Sequence, residues 1–258
     1  MNGKAIRKAR LFSKGAPVIT AVDHGQTFGP ADGLVDFRKT VALLGESDGI
    51  LMAPYMTQYS GDVFAAPSAP LAVLRLNWTT ALCNPWGYRE AHTKLLVEPE
   101  EAVAMGADIV LANLTIKSGS QAVDAENVRV FSEAVRKKEK LGIPLIGEVI
   151  PVMPPEKSEE FSDCIMKSVR IAAELGADMI KTLYTGETFK DVVSGTPIPV
   201  FALGAEKMDT EEEAVLLAGK AVEEGAEGIV FGRNVFQAED PAGMIIKLKS
   251  EINKSRQK

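Results

Sequence analysis

A lysine stands inside a short apolar segment of this chain, where a charged side chain is unfavourable. Lys181 lies in Gly-Ala-Asp-Met-Ile-Lys-Thr-Leu-Tyr-Thr-Gly, and residues 178–184 of that segment are predicted to form a strand bounded by glycines. Burying an unpaired ammonium group is unfavourable, and desolvation lowers the pKa of a lysine. A neutral lysine amine is the nucleophile that forms Schiff bases with carbonyl substrates. The segment therefore predicts a Schiff-base lysine; the alternative is a lysine that extends to solvent from an edge strand.

Two carboxylates at other apolar runs are candidates for moving protons. Asp23 ends the first run and Glu148 lies in the fifth, two residues before Ile150. Burial raises the pKa of a glutamate toward the range that suits general acid–base catalysis. Because side chains alternate between the two faces of a strand, Glu148 and Ile150 share one face. We favour the face that points into the site; the alternative is an outward glutamate that pairs with a helix lysine.

Arginine and glycine residues at further strand ends predict an anion site. Gly204-Ala205 and Gly232-Arg233 stand at the ends of the seventh and eighth runs, where small residues let backbone N–H groups approach a phosphate. The Arg233 guanidinium would add charge-assisted hydrogen bonds. We assign Arg75 and His24 to the same substrate-binding and phosphate-binding set, and a cation such as Arg75 would also help to keep the lysine neutral. The alternative is tight turns beside a surface arginine.

Repeated strand–helix units must position these residues. Ala-Met-Gly-Ala-Asp, Glu-Leu-Gly-Ala-Asp and Glu-Glu-Gly-Ala-Glu each separate a helical pattern from an apolar run, and glycine suits the position after a helix. Short apolar runs predict eight strands, at 17–24, 49–55, 70–77, 108–115, 144–150, 178–184, 199–204 and 228–234. Helical patterns are clearest at 125–141, 161–175, 210–224 and 242–253.

Eight strands that alternate with helices over 258 residues are typical of a (β/α)₈ barrel, the TIM-barrel fold of the α/β class. A doubly wound open sheet is the alternative, but no Gly-x-Gly-x-x-Gly follows the first strand. The third unit is the least regular, because residues 78–97 have the pattern of a loop. No linker or low-complexity segment divides the chain, so we predict one barrel domain over residues 1–258.

Composition limits the classes of partner and cofactor. A net charge of -6 and the lack of a basic run argue against nucleic acid. Cys83 and Cys164 have no metal-ligand spacing, and two histidines in the whole chain are few for a zinc enzyme. No apolar stretch approaches about 18 residues, the length that crosses a membrane. We therefore expect a cytoplasmic protein with no membrane segment, no metal and no other cofactor.

Three motifs resemble those of the archaeal-type class I fructose-bisphosphate aldolases. They are Asp-His-Gly at 23–25 followed by Gly-Pro at 29–30, the Lys181 segment, and Gly-Arg-Asn-Val-Phe-Gln at 232–237. The wider superfamily also contains the aminodideoxyheptulosonate synthases and the autoinducer-2 thiolase branch. The resemblance implies that Lys181 is the Schiff-base lysine, that Asp23 is the aspartate of the first strand, and that Gly232 and Arg233 belong to the phosphate site.

Two positions depart from the pattern of those aldolases. The family usually carries Trp-x-Tyr on the fifth strand, with the tyrosine as acid/base, whereas Glu148 and Ile150 align here. The thiolase branch is similar in lacking that tyrosine, and its first motif is close to residues 23–34. The loop after the seventh strand normally contains Ser-Gly-Gly, whereas Leu203-Gly204-Ala205 has no hydroxyl.

The residues and the resemblance together predict a metal-independent class I aldolase. It would cleave or form a carbon–carbon bond in a phosphorylated ketose or related keto compound through Lys181, with Asp23 and Glu148 moving protons. We expect a phosphorylated small molecule as its ligand and a homo-oligomer as its assembly. One alternative is thiolase-type acyl transfer on a phosphorylated dione. The other is a non-catalytic barrel that binds a sugar phosphate.

Overall fold

A computed structural model describes residues 2–88, 90–150, 152 and 159–256. Within that part of the chain, eight parallel strands close into a ring, each paired with its neighbours in sequence and the eighth with the first. Numbered one to eight, these barrel strands are Val18–Ala21, Gly49–Met52, Leu71–Arg75, Ile109–Asn113, Leu145–Val149, Met179–Leu183, Val200–Leu203 and Gly228–Phe231. The predicted (β/α)₈ barrel is confirmed.

Helices connect the strands, and all four predicted helices form. The α-helices are Asn2–Leu11, Gly25–Phe28, Phe37–Ala42, Gly61–Phe64, Pro99–Ala104, Gln121–Leu141, Glu159–Glu174, Phe189–Ser194, Glu211–Glu223, Arg233–Phe236 and Pro241–Ser255. Short 3₁₀ turns cover Pro54–Tyr59, Thr80–Leu82, Asn84–Trp86 and Gly186–Thr188. Among the described residues no helix is long and apolar enough to cross a membrane.

The helix ends explain why the chain turns back into the barrel where it does. Thr210 and Glu213 form a reciprocal capping box at the start of Glu211–Glu223, which satisfies backbone N–H groups that lack a partner in the helix. Gly176 follows Glu159–Glu174 with φ of 102°, and a Cβ there would lie 2.7 Å from Val135. Only glycine fits both the left-handed backbone and the close approach.

All eight strands were predicted longer than they are, and the differences at strands three and eight affect the site. Asn77 does not continue barrel strand three; it starts Asn77–Thr79, which pairs antiparallel with Thr93–Leu95 inside the region predicted as a loop. Barrel strand eight ends at Phe231, and Arg233 begins the short helix Arg233–Phe236. Three-residue strands carry too little periodicity to be recognised in a sequence.

The N-terminal helix Asn2–Leu11 lies against the end of the barrel at which the strands begin. Lys138, on the helix Gln121–Leu141, is fully buried and pairs with Asp178, which also pairs with Lys4 at 2.9 Å. Phe12 stacks on Phe201 at a centroid distance of 5.9 Å. These contacts leave the other end of the barrel, where the strands finish, as the open end.

Candidate functional site

A cavity of about 380 Å³ opens where the barrel strands end. The nine site residues predicted from the sequence come from six of the eight strands or their following loops, and all of them line this cavity. They are Asp23, His24, Arg75, Glu148, Lys181, Gly204, Ala205, Gly232 and Arg233. They meet here because the strands of the barrel are parallel, which brings their ends together at one face.

Lys181 points into this cavity and is paired with Glu148. The two residues are register partners on adjacent strands, and Lys181 Nζ donates to Glu148 Oε1 at 2.7 Å. Lys181 is only 7% exposed and Glu148 is 1% exposed. Strand six is flanked on both sides by other barrel strands, so the alternative of a lysine on an edge strand is wrong. The structure also places Glu148 on the inward face, which the sequence left open against an outward position.

Arg75 joins the two carboxylates of the site. Its Nη1 and Nη2 donate to Glu148 Oε2 and Oε1 at 2.6 and 2.8 Å, in a bidentate arrangement. Its Nε donates to Asp23 Oδ2 at 2.6 Å. The planar guanidinium suits this geometry because its N–H groups form a rigid fork. Arg75, Lys181, Asp23 and Glu148 therefore form one buried network of two cations and two anions.

The network keeps both carboxylates ionised, whereas burial was expected to raise the pKa of Glu148. Burial alone would raise the pKa of Glu148, but the charges of Arg75 and Lys181 outweigh it and hold that pKa well below the ordinary value. Asp23 follows the same pattern: burial opposes ionisation, and the charge of Arg75, followed by that of Lys181, lowers its pKa. The prediction of a raised pKa for Glu148 was wrong because a long-range arginine contact has no sequence signature.

His24 lies beside Asp23 and against the ring of Phe236. Its Nδ1 is 3.8 Å from Asp23 Oδ1, and its ring meets that of Phe236 edge-on at 5.1 Å. A Cβ on Gly232 would collide with the imidazole, so glycine makes room for it. Burial lowers the pKa of His24 to about 4; the charge of Asp23 opposes this shift, and nearby cations, chiefly Lys181, add to it. His24 is therefore neutral near pH 7.

Gly204, Ala205, Gly232 and Arg233, four of the six residues predicted to bind substrate or phosphate, lie together on the side of the cavity formed by strands seven and eight. Arg75, which was assigned to the same set, instead has its guanidinium bonded to Asp23 and Glu148. Arg233 Nη2 donates to the Ala205 carbonyl at 3.0 Å, while its Nε is buried without a hydrogen-bond partner among the described residues. The Gly204 N–H donates to the Val230 carbonyl at 3.3 Å. That N–H group is thus already used within the barrel, contrary to the prediction that it faces an anion. Glycine is still required there, because a Cβ would lie 2.7 Å from Phe231.

Sequence reasoning missed the asparagines that support Glu148. Asn77 donates its amide to the Asn113 carbonyl and accepts from the Asn113 N–H, both at 2.8 Å. Thr115 donates to Asn113 Oδ1 at 2.6 Å, which turns Asn113 Nδ2 toward Glu148 Oε2 at 3.4 Å. The signal was present as polar residues at the ends of strands three and four. The sequence does not show which of them contact a carboxylate.

Tyr184, another polar residue at the end of strand six, does not line this cavity. Its ring packs edge-on to Phe189 at 5.3 Å, and burial together with a hydrogen bond to Glu224 raises its pKa. Three positions separate it from Lys181, so the strand alternation places it on the opposite face. Across the described ranges no group of three His, Cys, Asp or Glu side chains is arranged to hold a metal.

Comparison with known proteins gives a consistent set of relatives. The sequence model described as "DeoC/LacD family aldolase" matches residues 17–238. An uncharacterized aldolase of Saccharolobus solfataricus is 32% identical over 252 residues, which cover 93% of this chain and 91% of that protein. The crystal structure of an archaeal fructose 1,6-bisphosphate aldolase superimposes with a TM-score of 0.83 at 27% identity, covering 97% of this chain and 99% of the other. An archaeal aldolase whose catalytic lysine is bound to a carbinolamine intermediate superimposes with a TM-score of 0.82 at 26% identity, covering 96% and 99%.

Proposed function

Since this chain belongs to the DeoC/LacD family of aldolases, we propose that it is a metal-independent class I aldolase that acts through a Schiff base on Lys181. Its substrate would be a phosphorylated ketose or a related keto compound. One observation carries the proposal: Lys181 is buried at the floor of the open cavity with its amine 2.7 Å from the Glu148 carboxylate. The similarity to an aldolase with a carbinolamine on its lysine supports it.

Imine formation needs proton transfer at the lysine nitrogen, and Glu148 is placed to provide it. Glu148 Oε1 accepts the hydrogen bond from Lys181 Nζ, so a proton can pass along this contact when the amine attacks the ketone carbon. The charge on Lys181 then disappears and one cause of the low pKa of Glu148 disappears with it. Glu148 can next donate that proton to the carbinolamine hydroxyl, which leaves as water and gives the iminium ion.

Cleavage of the carbon–carbon bond needs a base at the β-hydroxyl, and Asp23 suits that role. Its Oδ2 is fixed by Arg75 at 2.6 Å, which orients the carboxylate, and its pKa is lowered, so it is ionised at neutral pH. The β-hydroxyl proton moves to Asp23 as the bond breaks, and the electron pair flows into the iminium ion to give an enamine and a free aldehyde. Protonation of the enamine carbon and hydrolysis then regenerate Lys181.

Arg233 is the group best placed to hold a phosphate of the substrate. It lines the cavity beside Gly232, and its buried Nε has no hydrogen-bond partner among the described residues. A phosphate oxygen would satisfy that donor with a charge-assisted hydrogen bond. Glu206, whose carboxylate lies 3.9 Å from Arg233 and whose side chain is 88% exposed, can turn away into solvent.

Acyl transfer on a phosphorylated dione is a second candidate, and Ile150 favours it. Ile150 lines the cavity at the position where the related aldolases usually carry an acid/base tyrosine. A thiolase would transfer an acyl group from the dione to coenzyme A. Dependence of turnover on coenzyme A therefore separates the two activities.

Trapping with borohydride tests the proposal over a panel of phosphorylated ketoses, ketones and diones. Borohydride reduces an iminium ion to a stable secondary amine, so the intact protein gains the mass of the ligand. We expect the added mass with at least one phosphorylated keto compound, and peptide mapping should place it on Lys181. Absence of an adduct across the panel, while a known class I aldolase forms one in parallel, would contradict the Schiff-base mechanism.

A further inference from the structure

The charged side chains around the cavity leave one cation for an anionic group of the substrate. Among the described residues that line the cavity, three are cationic and three are anionic: Arg75, Lys181, Arg233, Asp23, Glu148 and Glu206. All three nitrogen atoms of the Arg75 guanidinium donate to Asp23 or Glu148, at 2.6 to 2.8 Å. Lys181 Nζ donates to Glu148 at 2.7 Å and is the atom that would carry the imine. Arg75 and Lys181 are therefore already paired.

Arg233 is the cation that remains. Its Nε is buried without a hydrogen-bond partner among the described residues, and its Nη1 lies 3.9 Å from the exposed carboxylate of Glu206. A phosphate monoester carries a charge of about −1.5 to −2 at pH 7, which already exceeds the single positive charge of this arginine. The described lining residues therefore hold no further positive charge for a second phosphate.

The other polar side chains that line the cavity in the described part of the chain are uncharged. Gln26 and Thr27 follow barrel strand one, and Asn77 and Thr79 follow barrel strand three. The pKa of about 4 keeps His24 uncharged at neutral pH. Amide and hydroxyl groups can donate hydrogen bonds to a substrate hydroxyl or accept them from it. They cannot neutralise the charge of a phosphate.

A second phosphate in this cavity would lose hydration and meet groups of its own charge. Removing an anion from water without an opposite charge beside it is unfavourable. The carboxylates of Asp23 and Glu148 are buried, and their lowered pKa values keep them ionised, so they repel a further anion. An uncharged hydroxyl in the same place meets neither penalty, because neutral polar side chains line the cavity as well.

We propose that the substrate carries one phosphate and not two. Its class is a monophosphorylated ketose or hydroxyketone, with the phosphate on Arg233 and uncharged polar groups over the rest of its length. This inference rests on the proposed aldolase function, because it takes Lys181 as the residue that forms the imine. It distinguishes the substrate of this chain from fructose 1,6-bisphosphate, for which the structurally similar archaeal aldolase is named.

Borohydride trapping with matched ketoses tests the inference. Fructose 1-phosphate, fructose 6-phosphate and fructose 1,6-bisphosphate share one carbon chain and differ in phosphates, so the comparison holds whichever end of the sugar Arg233 binds. The measured quantity is the ketose concentration that gives half of the maximal adduct, with adducts of the ketose and of its cleavage products both counted. We expect this concentration to be at least roughly 10-fold lower for one of the monophosphates than for the bisphosphate, because the second phosphate lacks charge-assisted hydrogen bonds.

A cation added to the cavity should reduce the preference for one phosphate. Gln26→Lys places a positive charge at a half-buried residue that lines the cavity, and it should lower the half-saturating concentration of the bisphosphate more than that of either monophosphate. Gln58→Lys is the matched control, because Gln58 is exposed and does not line this cavity. Equal effects of the two variants would contradict the inference, since the charge of the cavity would then not set the preference.

The unmodified protein decides the matter. A half-saturating concentration of the bisphosphate equal to or below that of both monophosphates overturns the inference and leaves the proposed function intact. If only smaller keto compounds are trapped, aldol synthesis from dihydroxyacetone phosphate compares glyceraldehyde with glyceraldehyde 3-phosphate, and a higher kcat/KM for the phosphorylated aldehyde overturns it. Failure of every keto compound to form an adduct contradicts the proposed function instead, and the inference with it.

Discussion

Replacing Glu148 with glutamine separates its proposed catalytic role from its structural one. Glu148→Gln keeps the shape of the side chain and removes its charge and its ability to carry a proton. In the proposed mechanism the carbinolamine then loses water without a general acid, a contribution that is typically about 10²–10⁴-fold. We therefore expect kcat to fall by about 10²–10⁴-fold, equivalent to roughly 3–5 kcal/mol at about 1.36 kcal/mol per factor of ten.

The same substitution must also affect folding, because Glu148 is 1% exposed and contacts both Arg75 and Lys181. At 2.7 Å and an effective dielectric constant of about 20, the attraction between Lys181 and Glu148 is about 6 kcal/mol before the loss of hydration is subtracted. Removing one partner of a buried pair typically reduces the free energy of unfolding by about 3–5 kcal/mol. Urea unfolding must accompany the kinetics, so that kcat is compared only under conditions in which the variant is folded.

The assay combines steady-state kinetics with borohydride trapping at a series of reaction times. Imine formation should be slower in Glu148→Gln but reach the unmodified extent at long times, since Lys181 is still present. Glu174→Gln is the matched control, because Glu174 pairs with Arg170 on a helix surface at 2.7 Å, and kcat should not change. A near-normal kcat in folded Glu148→Gln would refute the proton-transfer role and leave Asp23 as the sole acid/base.

Two further predictions concern the ends of the cavity. Arg233→Ala should raise KM for a phosphorylated substrate by roughly 10- to 100-fold, because charge-assisted hydrogen bonds to a phosphate contribute about 1.5–3 kcal/mol. The value of kcat should change little, because those hydrogen bonds lie away from the reacting bond. An unchanged KM would count against the phosphate site. The pKa of His24 is lowered from 6.5 to about 4 in the folded protein. Between pH 6.5 and pH 4 the unfolded protein therefore binds more protons at this residue than the folded protein does. The contribution of His24 to stability is present above about pH 6.5 and is lost as the pH falls toward 4. Urea unfolding should show that the unmodified protein loses roughly 2–3 kcal/mol more than His24→Gln between pH 7 and pH 4.5, and equal losses would mean that His24 is not held neutral.

The barrel could be predicted because its signals are local. Glycines such as Gly176 end helices with a positive φ, and the apolar runs that follow them are long enough to recognise as strands. The ends of the strands were less accurate. Asn77 was assigned to strand three although it begins the hairpin strand Asn77–Thr79, because a polar residue after an apolar run fits either element.

The composition of the site could be predicted, but its electrostatics could not. Lys181 could be selected as a lysine inside an apolar strand, and Asp23 and Glu148 as carboxylates in other apolar runs; parallel strands bring such residues to one face of a barrel. The bidentate contact from Arg75 to Glu148 joins residues 73 positions apart, and the sequence does not show which carboxylate an arginine contacts. That contact reverses the direction of the pKa shift expected from burial alone.

The identity of the lysine that carries the imine is the most direct test of the central claim. Lys181→Arg retains a cation opposite Glu148 but cannot form a Schiff base, and Lys167→Arg, at an exposed lysine paired with Asp163 on a helix surface, is the matched control. Both variants are incubated with the same phosphorylated ketone and borohydride, and their intact masses are measured. The proposed mechanism predicts a ligand adduct on the unmodified protein and on Lys167→Arg, and none on folded Lys181→Arg. An adduct of normal extent on Lys181→Arg would contradict it, because another lysine would then be the nucleophile.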